Sequence, residues 1–139
     1  MSLFEASPHS GRMLSVFRIV AAFTFFTAGT RKLVGWPPMP VPGYHFQPFT
    51  EVGVAAMLET VGGLAVIFGL FTRPVAFVLA GEMAVAYFQV FAAKSFFPIV
   101  NGGIPPMMYC FLFLYLTFAG GGDWSLDALI ARRRATRRQ

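Results

Sequence analysis

The sequence predicts an all-α fold: an integral membrane four-helix bundle with a short C-terminal amphipathic helix. Three observations carry this. Of 139 residues, 56% are hydrophobic and only 12% charged, whereas a soluble domain carries about 25% charged residues. The apolar residues fall in blocks long enough to cross a bilayer. Between the blocks lie segments rich in proline, glycine and aromatic residues, which break helices. The whole chain, 1–139, reads as one transmembrane domain with spans at about 13–33, 54–71, 74–93 and 105–119 and a basic tail at 131–139.

The first span, Met13 to Leu33, makes about 31 Å of helix, the thickness of the hydrocarbon layer. It is too long for the apolar core of a secretory leader, lacks a small-x-small cleavage site and carries Arg18, so it is read as a span. From Val34 to Gly53 come Pro37, Pro38, Pro40, Pro42 and Pro48 among Trp36, Tyr44, His45, Phe46 and Phe49, a composition suited to a loop at the membrane interface. The second span ends at Thr72-Arg73-Pro74, where a proline opens the third without losing a needed hydrogen bond. So short a turn makes the two helices antiparallel neighbours.

Lys94 to Gly103 is a second irregular loop, and Pro105-Pro106 opens the short fourth span. Beyond it, Asp123 and Ser125 are candidate caps for a last helix with Leu126, Leu129 and Ile130 on one face. Arg132, Arg133, Arg134, Arg137 and Arg138 supply five of the eleven basic residues. They read as an anchor to anionic lipid headgroups, at roughly 1 kcal/mol each near the surface, and not as a nucleic-acid surface. With the termini inside, the cytoplasmic face holds Arg12, Arg73 and the tail arginines against Arg31, Lys32 and Lys94 outside. The positive-inside rule therefore predicts both termini in the cytoplasm of a bacterial-type cell, the chain lying in the inner membrane.

Chemistry is sought where ionisable residues enter the spans, since each costs about 2.5 to 3.5 kcal/mol at the bilayer centre on insertion scales. These are Arg18, Glu59 and Glu82. At helical spacing each sits in a seam of small residues: Arg18, Ala22, Phe25, Gly29, Lys32 on the first helix; Ala55, Glu59, Gly62, Val66, Gly69 on the second; Glu82, Ala86, Gln89, Ala93 on the third. Tyr109 and Tyr115 add hydroxyls in the fourth span. The seams either pair the helices or line a polar cavity for a proton, a quinone headgroup or a small sulfur compound.

Glu59 is expected to be held by a cation of the first helix, Lys32 ahead of Arg31. Their depths differ by roughly 10 Å, but side chains lean toward a helix's N-terminus, so on antiparallel helices the two reach toward each other.

A single cysteine, Cys110, excludes an internal disulfide and any CxxC site. His45 has no second ligand at metal spacing, so no metal centre is expected, and no phosphate loop, haem motif or nucleophile elbow is evident.

Ala28-Gly29-Thr30-Arg31-Lys32-Leu33 before a Gly-Trp-Pro loop, Glu59-Thr60-Val61-Gly62-Gly63 leading to Gly69-Leu70-Phe71-Thr72-Arg73, Lys94-Ser95-Phe96-Phe97-Pro98 with Asn101-Gly102-Gly103, and Trp124-Ser125-Leu126-Asp127 occur in this order. The chain thereby resembles the DoxX family of four-helix membrane proteins (the DoxX/DoxD type). The resemblance implies a four-helix bundle, and for some members a link to thiosulfate oxidation with quinone as acceptor or to quinol oxidase complexes. It marks Lys32, Glu59, Gly62, Gly63, Arg73, Asn101 and Gly103. Members with histidine or glutamate where this chain has Ala28, Phe91 and Ile104 imply a non-catalytic role here, if those groups serve catalysis.

Residues and resemblance together give Arg18, Lys32, Glu59, Glu82, Gln89, Asn101 and Tyr109 as the candidate lining of a polar cavity, with quinone as the candidate cofactor. Two roles stay open: a redox-linked protein binding a quinone or small sulfur compound, or a non-catalytic accessory subunit of a larger respiratory or electron-transfer complex. Partners beyond lipid would be such subunits or further copies of the chain.

Overall fold

In a computed structural model, which describes residues 7–38 and 45–138, each apolar block is a helix. The order is α1 (Ser10–Val34), α2 (Glu51–Phe68), α3 (Thr72–Ala86) continuing through a π-helical turn (Tyr87–Phe91), the single turn α4 (Pro98–Asn101), α5 (Ile104–Ala119) and α6 (Leu126–Thr136). Three helical stretches, Ser10–Val34, Glu51–Phe68 and Thr72–Phe91, are long and apolar enough to cross a membrane, and the 16-residue α5 is a shorter apolar helix.

Local chemistry sets the ends. Thr50 caps α2 by accepting from the Gly53 N–H at 3.1 Å, and Glu51 sits in its first turn, so the helix starts three residues before the expected Val54. It also stops three residues before the expected Phe71. Gly69, at φ 66°, forms a Schellman motif in which its N–H and that of Leu70 close onto Val66 and Ala65. The start of α3 is capped from outside: the Phe71 and Thr72 N–H groups donate to the two Asp127 oxygens at 2.9 and 2.8 Å. Pro74 thus stands one turn inside α3, still among the positions whose N–H has no intrahelical partner.

The pairs α1·α2 and α3·α5 pack most extensively, and α2 joins them by contact with α3. The core draws on all four: Ala22 and Phe25 from α1, Val66 from α2, Leu79 and Met83 from α3, Phe113 and Leu116 from α5. Phe25 meets the Tyr109 and Phe113 rings at 5.1 and 4.7 Å. Closest approach of α1 to α2 falls at glycines. A Cβ on Gly29 would stand 2.6 Å from the Thr60 nitrogen, and one on Gly63 would stand 3.0 Å from the Phe26 Cα.

The surface is that of a protein dissolved in lipid. Phe17, Phe23, Val61, Phe77, Phe111 and Phe118 are exposed while Arg18 and Glu59 are buried, the reverse of a water-soluble domain. The start of α1 and the start of α6 lie on one face, the terminal face, since the Gly11 carbonyl accepts from the Asp123 N–H before α6. This terminal face also holds the α2–α3 turn. The α1–α2 loop and α4 lie at the other end, the loop face.

Candidate functional site

The polar residues of the spans divide into two groups. On one helix, Arg18 and Lys32 are fourteen residues apart, roughly 21 Å of helix rise, so the structure does not bring together these two residues, expected from the sequence to share one cavity.

Arg18, fully buried at 0% exposure, belongs to the terminal face. Its Nε donates to the Gly121 carbonyl at 2.7 Å, Nη2 to Trp124 at 2.9 Å, and Nη1 to the carbonyls of Val66 and Ile67. The last two belong to the end of α2, whose final carbonyls have no intrahelical partners and carry the negative pole of the helix. One guanidinium therefore ties α1 to the end of α2 and to the α5–α6 connection, with its donors spent on the backbone.

The second group lies toward the loop face. Lys32, in the last turn of α1, sends Nζ to both carboxylate oxygens of Glu59 at 2.6 and 2.8 Å. Glu59 is 3% exposed and Lys32 34%, so the acid is in the protein and the amine reaches its edge. The inward and outward lean of the two side chains closes the gap in depth that straight helices would leave. Arg31 takes no part in the pair, and its Nε is buried without a hydrogen-bond partner among the described residues. Gly29, one turn before Lys32, lets α1 come close enough to make the contact, since a Cβ there would also stand 2.8 Å from that of Glu59.

Glu82 approaches from α3, within Coulombic reach of both Glu59 and Lys32. Both of its carboxyl oxygens are buried, and neither has a hydrogen-bond partner among the described residues. Two carboxyls and one amine thus converge from three helices, and one carboxyl is left over. A Lys32 amine has three N–H groups, of which two are directed at Glu59, so one donor also remains.

The other candidates lie elsewhere. Gln89 is exposed. The buried face of α3 runs through Ala76, Ala80 and Met83 and reaches Tyr87 one turn later, so it lies beside the stripe expected through Glu82, Ala86 and Gln89, and Tyr87 is the buried residue of the π-helical turn Tyr87–Phe91. Its hydroxyl donates to the Phe96 carbonyl at 2.5 Å and accepts from Asn101 Nδ2 at 3.4 Å. Asn101 also donates to the Ser95 carbonyl at 2.7 Å and accepts from the Gly103 N–H at 2.6 Å, so it fastens the loop around α4. Tyr109 shares a 2.7 Å hydrogen bond with Thr24 and stacks in the core. On α2 the buried face runs through Gly53, Ala56, Glu59, Gly63 and Val66, so Glu59 and Val66 keep the places the seam gave them while Ala55 and Gly62 are half-buried. Ser125 caps α6 as expected, through the Ala128 N–H at 3.1 Å, whereas Asp123 is exposed and does not. Tyr87 and Asp127 are the polar residues whose positions the sequence did not reveal.

A helical bundle that exposes apolar side chains and buries an ion pair defines a membrane-embedded protein of the multi-pass kind. The family model for DoxX matches residues 13–92, and the chain belongs to that family. It is 42% identical over 117 residues to an uncharacterised protein of Haemophilus influenzae, covering 82% of this chain and 87% of that one. It is 30% identical over 131 residues to the inner membrane protein YqjF of Escherichia coli, covering 85% and 92%. No solved structure matches.

Proposed function

We propose that the Lys32–Glu59–Glu82 cluster receives the polar head of a small membrane-soluble compound, a quinone ring or a small sulfur compound, and that the protein serves redox-linked chemistry in the membrane. The observation that carries this is the Glu82 carboxyl, buried beside an ion pair with neither oxygen hydrogen-bonded among the described residues. A group so placed is costly unless something occupies it, and ionisable residues inside a membrane bundle default to function. Quinone carbonyls are acceptors, which a carboxylic acid O–H and the remaining Lys32 N–H complement.

Delipidated protein in detergent, titrated with a short-tailed benzoquinone, should bind it saturably at one per chain, and Glu82→Leu or Lys32→Met should abolish the binding. Absence of saturable binding, or binding indifferent to both substitutions, would reject the site. A stoichiometric protein partner without extractable quinone in mild-detergent extracts would support the accessory-subunit role instead.

The terminal face is read as cytoplasmic. It gathers Arg12, Arg73 and the α6 arginines, while on the loop face the Lys32 charge is already paired within the bundle. Single cysteines at Gln47 and Ser95 should react with an impermeant thiol reagent outside intact cells, and one at Arg138 should not; the opposite pattern would invert the topology.

A further inference from the structure

We propose that this protein also holds one phospholipid molecule on the outside of α3 at the terminal face, its phosphate on Arg73 and an acyl chain in the groove between α2 and α3. Two concavities meet there. A cleft of about 400 Å³ opens between the start of α3 and the α5–α6 connection, lined by Arg73, Gly120 and Asp127 among others. A groove of about 440 Å³ runs between α2 and α3, with Met57, Val61, Val75 and Val78 in its walls. Pro74 lines both, so the polar cleft and the apolar groove adjoin at that residue.

Arg73 is exposed and makes neither a hydrogen bond nor an ion pair among the described residues. Its guanidinium lies over Gly120, where an added Cβ would stand 3.4 Å from Nε. Asp127 lines the same cleft but forms no ion pair with it among the described residues; its two oxygens accept from the N–H groups of Phe71 and Thr72. An unpaired, planar five-donor cation at the end of a membrane helix suits the oxygens of a phosphate. The order of chemistry along the surface, a cation in the cleft and then an apolar groove beside the span, is the order of a phospholipid from headgroup to acyl chain. A helix of another protein would fill the groove and leave Arg73 without a partner.

The test is titration of delipidated, detergent-solubilised protein with a phosphatidylglycerol, bound lipid being counted by native mass spectrometry. One lipid per chain should bind saturably. Arg73→Gln should weaken it about tenfold, the loss of a charge-assisted hydrogen bond, and Val78→Trp, which fills the groove from an exposed position, should weaken it similarly. Leu58→Trp, on the facing wall, replaces Val78→Trp if that variant does not fold. Substituting the five C-terminal arginines, Arg132, Arg133, Arg134, Arg137 and Arg138, with glutamine should leave this site occupied, because none of them lines it. Wild-type affinity in both the Arg73 and the groove variants would overturn the proposal. So would equal competition by glycerol phosphate, which has the headgroup chemistry and no chains and would show that the groove contributes nothing.

Discussion

Arg18 and the Lys32–Glu59–Glu82 cluster are both charged centres inside a lipid-dissolved bundle, and they solve the problem of buried charge differently. Arg18 meets only backbone: carbonyls at the end of α2 and in the α5–α6 connection take its N–H groups, and it is wholly enclosed. The other cluster is built from side chains. It contains one closed ion pair, a lysine that reaches the protein's edge, and a carboxyl with no partner. A charge satisfied on every side fixes geometry, whereas a set with a donor and an acid in excess is suited to an incoming molecule.

The largest effect expected from this contrast is at Arg18. Arg18→Met removes the donor of the Gly121, Ile67 and Trp124 carbonyls at once, while Val66 keeps the Gly69 N–H; at about 1 to 3 kcal/mol for each group left unsatisfied, the sum should be at least about 3 kcal/mol. Little folded protein should be recovered from membranes, as judged by monodispersity in mild detergent. A well-folded Arg18→Met protein would show that water or lipid replaces the guanidinium, and the division between the two centres would fail.

The ion pair comes next. Lys32→Met should destabilise the protein by about 3 to 5 kcal/mol, because it leaves the Glu59 carboxylate buried and uncompensated, and Glu59→Gln should cost less, because Lys32 reaches the protein's edge; the double variant should recover part of the Lys32→Met loss. The thermal midpoints of the four proteins in detergent decide it. Simple additivity would mean that the 2.6 Å contact between Lys32 and Glu59 contributes no coupling.

Much of this arrangement could be read from the sequence, and the limits have physical causes. Span lengths follow from apolar blocks, and the Lys32–Glu59 pairing follows from the lean of side chains on antiparallel helices, because both rest on regular α geometry. Gln89 falls outside the buried face because that face runs through Ala76, Ala80, Met83 and Tyr87, one residue out of phase with the expected stripe, a phase that a helix apolar on every side does not mark. Arg18 was assigned to the wrong centre because its partners are carbonyls, which every residue carries and no motif marks. The Gly69 turn that shortens α2 was visible as a glycine, but its role needed the left-handed φ of 66°. Asp127 stood in a quoted motif, yet its work, capping α3 from 55 residues away, is a tertiary contact.

The smallest expected effect has the opposite sign and tests the contrast most directly. In the protein without a bound molecule, Glu82 holds two buried oxygens without a hydrogen-bond partner among the described residues, within Coulombic reach of Glu59. An unsatisfied buried polar group costs about 1 to 3 kcal/mol, and removing it for an apolar side chain of similar length removes that cost without opening a cavity. Glu82→Met should therefore raise the thermal midpoint of the ligand-free protein in detergent, by a change equivalent to about 1 kcal/mol. The same substitution should leave the Lys32–Glu59 coupling intact or strengthen it, since the amine then serves one carboxylate alone. Residues kept for binding characteristically oppose stability in this way. If Glu82→Met instead lowers the midpoint, the carboxyl is already satisfied in the ligand-free protein, and the cluster would join Arg18 as a device for holding helices together.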